Sequence, residues 1–75
     1  MKKSEIVVGG VYSDGKNGVR KVLAFGGEEL KYYQSQKNTQ NLQCLIIQAR
    51  EKKLVGQKCN NTVVSFAAWA KERIS

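Results

Sequence analysis

The chain contains no histidine and only six acidic residues, set against thirteen lysines and arginines in 75 residues, for a formal charge of +7. Without histidine it lacks the commonest general base and the commonest metal ligand. Its two cysteines alone do not make a four-ligand zinc site. No serine or cysteine has an imidazole to activate it, so nucleophilic catalysis of the triad kind is excluded. We therefore expect no enzyme, no metal and no cofactor. Long apolar runs are missing as well. The longest uninterrupted stretch is Phe66 to Ala70, far short of the roughly 20 residues that span a bilayer. The apolar part of the start, Ile6 to Val8, is too short for a signal-peptide core. These absences predict a cytoplasmic protein with no membrane partner, in which Cys44 and Cys59 are thiols.

A chain of this size buries about 60–65% of its unfolded surface, enough for one core but not for a second domain or a deep enclosed active site. Nearly all its aliphatic side chains are then needed for packing, so no small-molecule substrate is expected. The single domain reads as a run of short strands closed by one helix. Residues 5–12 and 19–25 are rich in β-branched and aromatic side chains. Between them, Ser13-Asp14-Gly15-Lys16-Asn17-Gly18 carries both an Asp-Gly and an Asn-Gly, a hairpin signal. Further strands are expected at 28–35, around Leu30, Tyr32 and Tyr33, and at 41–50. A shorter fifth is expected at 54–58, interrupted by Gly56.

From Thr62 the apolar period changes. Val63, Phe66, Ala67, Ala70 and Ile74 fall on one face of a helix over 63–74. Thr62 is placed to cap its first turn, and Lys71 and Arg73 lie near the negative end of its dipole. Trp69, just off the stripe, is expected to seal the boundary between helix and sheet. The fold class is thus α+β, mainly β: a small curved antiparallel sheet of four to five strands with one C-terminal helix packed on it.

The segment from Gly10 to Asn17 matches the phosphate-binding pattern G-x-x-x-x-G-K-[ST] except at its last position. That loop works only when a helix follows and a hydroxyl holds magnesium. Here Asn17 replaces the hydroxyl and a strand is expected next, so nucleotide hydrolysis is not inferred.

The excess of positive charge favours polyanionic partners. Tyr33, with Lys31 and Lys37 nearby, is the candidate outward-facing ring, suited to base stacking or a protein contact. Arg20 and Lys21 point to opposite faces of their strand, and one of them lies outward near Lys16. Lys16, Arg20, Lys52, Lys53 and Lys58 make up a candidate basic rim. The expected function is a non-enzymatic binding module, with nucleic acid as the leading partner and a host protein or a second copy of the chain as the alternative.

The segments Val8-Gly9-Gly10-Val11-Tyr12 and Gly18-Val19-Arg20-Lys21-Val22-Leu23 resemble the first hairpin of an SH3-like small barrel. The stretch Ser65-Phe66-Ala67-Ala68-Trp69-Ala70 is similar to the closing helix of short uncharacterised bacteriophage and prophage proteins. Together they cover about a third of the chain. The resemblance implies an SH3-like roll, a bacterial cytoplasm and a phage accessory role. It supplies no catalytic residues, and SH3-like barrels bind peptides, nucleic acids and proteins alike, so it does not choose the partner.

Overall fold

A computed structural model describes residues 1–26 and 41–75. Their elements are β1 (Val11–Ser13), β2 (Val19–Phe25), β3 (Asn41–Gln48), β4 (Lys58–Thr62), α1 (Val63–Trp69) and β5 (Glu72–Arg73), with short 3-10 turns at Lys3–Glu5 and Lys52–Leu54. The strands form one antiparallel sheet in the order β4-β3-β2-β1-β5. The mainly β, α+β architecture read from the sequence is therefore the one observed. The strand expected at 28–35 lies outside the described residues.

Alternation along β3 sends Leu42, Cys44 and Ile46 to one face, where they are buried. Val22 of β2 and Tyr12 of β1 join them, and Val63, Phe66, Ala67 and Ala70 of the helix segment cover them. The Thr62 hydroxyl accepts a hydrogen bond from the Ser65 amide at 3.0 Å, the cap expected from the sequence.

Four boundaries differ from the sequence reading, each for a local reason. The first strand is not 5–12 but Val11–Ser13. The chain turns at Gly9, whose φ is +85°, and Ile6 enters the core alone while Val7 and Val8 stay exposed. The buried Tyr12 hydroxyl fixes this turn, donating to the Glu5 carbonyl and accepting from the Val7 amide, both at 2.8 Å. The strand read over 41–50 ends at Gln48, because the chain leaves the ladder at Ala49 and Arg50.

The strand expected at 54–58 is instead Lys58–Thr62. Val55 and Gly56 form a turn whose amide at Gly56 returns to the Ile46 carbonyl at 2.7 Å. The polar Cys59-Asn60-Asn61 stretch carries the ladder on the outer side of β3. The helix ends at Trp69 rather than at 74. Beyond Ala70 the Lys71 amide reaches the Ser13 carbonyl and the Ile74 amide the Val11 carbonyl, each at 2.8 Å. Pairing with the open side of β1 satisfies backbone groups that another helical turn would leave β1 without. Ile74 is consequently half exposed and not part of the core.

The cysteines also depart from expectation. Cys44 and Cys59 face each other across β3 and β4, with Cα atoms 5.3 Å apart, and are joined as a disulfide. Register, invisible in the sequence, brings them together. The side-chain oxygen of Asn61 lies 3.3 Å and 3.6 Å from the two sulfurs, so it is placed to accept from either thiol when the bond is reduced. No helix among the described residues is long and apolar enough to cross a membrane.

Two stability measurements test this arrangement. Tyr12→Phe leaves the Val7 amide without its acceptor and should lower the free energy of unfolding by about 1–3 kcal/mol in urea titrations. Reduction opens a loop of sequence separation 15. It should cost roughly 3 kcal/mol, read by comparing unfolding with and without dithiothreitol.

Candidate functional site

Val19 pairs with Gln48, so the β1–β2 turn and the β3–β4 connection lie at the same end of the sheet. The end of α1 is brought there too, because the chain leaving it pairs with Ser13. These three pieces enclose an open groove of about 420 Å³. Its walls include Asp14, Lys16 and Gly18 from the turn, Arg20 and Ile46 from the strands, Arg50, Glu51 and Leu54 from the connection, and Trp69 from the helix.

The turn is built by its own side chains. Asp14 Oδ1 accepts from the Lys16 amide at 2.7 Å and the Gly18 amide at 3.1 Å, and the Ser13 hydroxyl accepts from Gly15 at 3.0 Å. Gly15 has φ +80°, the left-handed conformation the Asp-Gly signal requires. At Gly18 a Cβ would stand 2.9 Å from both Asp14 Oδ2 and Trp69 Cζ2. Glycine there lets the indole close down on the turn. The near-match to a phosphate loop thus forms a tight hairpin followed by a strand.

Arg20 is the centre of the groove. It stands in the same cross-strand row as Tyr12 and Ile46, on the helix side of the sheet, and its guanidinium lies 4.4 Å above the Trp69 ring centroid. Lys21, its neighbour, is exposed on the opposite face, as alternation requires. Partial burial pushes the Arg20 guanidinium below its ordinary range, and the nearby Asp14 carboxylate opposes that shift. The guanidinium stays charged at neutral pH. Among the described residues the ion pair present is Lys53 with Glu51, 3.5 Å apart with both side chains well exposed, of a kind that contributes little. Lys16, Arg20 and Arg50 form none there.

Of the sequence-read candidates, the fold brings Lys16 and Arg20 into one groove. Lys52 and Lys53 sit in the adjoining 3-10 turn and flank it, while Lys58 stands opposite Leu45 on the outer strand, apart from the lining. Lys31, Tyr33 and Lys37 lie outside the described residues. Two participants were not singled out as site residues, Arg50 and Trp69. Only the observed register, which sets Val19 against Gln48, brings Arg50 to the end of the sheet that holds Lys16. Trp69 does seal the helix against the sheet, packing on Phe66 with centroids 5.3 Å apart, yet its other contact is the cation. No known family, curated protein or solved structure matches the chain.

The two amides hold the Asp14 carboxyl below its ordinary 3.8, the Lys16 amide contributing most. A depressed folded value means that the charged form is favoured by folding. Its stabilising effect is complete above 3.8 and disappears as pH falls through the lower folded value. A carboxyl-detected NMR titration should give a midpoint for Asp14 below 3.8, and Gly15→Ala, which strains the turn, should return it toward that figure.

Proposed function

We propose that the protein is a non-enzymatic nucleic-acid-binding module and that the groove around Arg20 is its contact surface. One observation carries the reading. A partly desolvated guanidinium, lying over an indole, forms no ion pair among the described residues. A partly buried cation that no carboxylate contacts directly among the described residues is incompletely compensated, and a phosphate would supply that contact together with acceptors for the guanidinium fork. Lys16 and Arg50 add positive charge to the same groove, and Lys52 and Lys53 stand beside it. The excess of seven positive charges over the chain favours approach of a polyanion from any direction. Arginine held against an aromatic face is ordered before the ligand arrives, which lowers the entropic cost of binding.

The acidic side chains offset only part of this field, the Asp14 carboxylate lying near enough to act on Arg20. Asp14 is occupied by backbone amides of its own turn, and Glu51 is paired with Lys53. The absence of histidine from the sequence leaves phosphate binding rather than phosphate chemistry as the natural use of these groups. In a cytoplasmic setting, where nucleic acid is met and thiols are kept reduced, the Cys44–Cys59 disulfide opens to two thiols. Asn61 Oδ1 is then placed to accept from either of the two thiols.

Fluorescence-anisotropy titrations with DNA and RNA should show binding that weakens steeply with salt. The log-log slope on duplex DNA should be about −0.9 for each phosphate neutralised. A Lys16→Ala, Arg50→Ala double variant should make that slope shallower by about two phosphates' worth. Absence of binding to any nucleic acid at low salt overturns the reading.

A further inference from the structure

The shape of the groove narrows the ligand class beyond phosphate recognition. The bases of a duplex are stacked inside it, so it presents phosphates, sugars and base edges but no free base face to a protein surface. An unpaired nucleotide can turn its base outward and place it in a pocket. About 420 Å³ falls in the size range of clefts that bind a small organic group. The walls are mixed in the way such a base requires. Ile46, Ala49 and Leu54 are apolar, while Gln48 and Asn17 carry amides able to meet a base edge.

Trp69 is not itself the free platform. One face of its ring carries Arg20, and the ring leans on Phe66 at an interplanar angle of 48°. The next available plane is therefore the guanidinium. Arginine planes stack on unpaired bases in the same manner as aromatic rings do, while their N–H edges remain free for phosphate. Trp69 lies against that group, with the guanidinium carbon 4.4 Å from its ring centroid. Lysine at the same position would keep the charge and lose the plane.

We infer that the groove receives one unpaired nucleotide of a single strand, its base stacked on the Arg20 guanidinium, so that single-stranded nucleic acid is bound in preference to duplex. The inference rests on the nucleic-acid-binding reading above and specifies how that same groove is used.

Trp69 is the sole tryptophan of the chain, so its emission reports the groove directly. The probes are a short homopolymeric oligodeoxynucleotide, its oligoribonucleotide counterpart and a blunt duplex with the same number of phosphates, each titrated at matched salt. Either single strand should bind about tenfold tighter than the duplex, the scale set by one stacked base. The single strand should change the Trp69 emission more than the duplex does. Arg20→Lys should reduce single-strand affinity about tenfold more than duplex affinity, its folding checked by thermal unfolding. Should that variant not fold, the wild-type affinity ratio and the emission change decide the matter alone.

Equal affinity for single strand and duplex, or single-strand binding that leaves Trp69 emission unmoved, overturns this inference and leaves the phosphate-binding function standing. Failure to bind all three probes overturns both. A preference for the deoxy or the ribo strand supports the inference and assigns the source.

Discussion

Phe66 touches both of the structures on which the rest depends. Its ring meets Tyr12 edge-on, with centroids 5.5 Å apart at 88°, and meets Trp69 at 5.3 Å. Such pairs contribute about 0.5–1.5 kcal/mol each beyond the area they bury. Their position matters more than their strength. On one side Tyr12 fastens the turn preceding the first strand through its hydroxyl; on the other Trp69 bears the guanidinium of Arg20. A continuous column thus runs from the fully buried centre to the charged groove, and the groove residue is set by the same contacts that close the core.

Where side-chain period decided the outcome, the sequence could be read. Leu42, Cys44 and Ile46 alternate inward as their spacing requires, and Val63, Phe66, Ala67 and Ala70 share the face their spacing gives them. The Asp-Gly turn and the Thr62 cap carry their own hydrogen-bonding groups, so local chemistry identified both. Where long-range pairing decided, it could not be read. Nothing in Cys59-Asn60-Asn61 resembles a strand, because its partner β3 supplies the apolar residues of the pair. Ile74 fits the helical stripe, yet the unpaired side of β1 offers the chain a better use of its backbone.

The groove divides in the same way. Lys16 and Arg20 stand close in sequence around one tight turn, and their proximity follows from it. Arg50 arrives from a different connection, and its presence depends on the register that sets Val19 against Gln48. Trp69 illustrates a further limit. Its packing role was legible from the helical wheel, but a ring can seal a core with one part and hold a cation with another, and only the crossing of helix and sheet discloses the second contact.

The pairing of β5 with β1 bears on how the molecule is made. Tyr12 stands opposite Arg73, so one flank of the sheet joins segments from far apart along the polypeptide. A ribosome delivers the earlier segment well before the later one, and until then β1 has a backbone flank with no native neighbour. Contacts of such wide sequence separation slow collapse into the final topology and lengthen the interval in which a bare strand is open to misassociation. Lysines spaced along so short a polypeptide repel like molecules during that interval, giving the charge a protective use in the nascent chain.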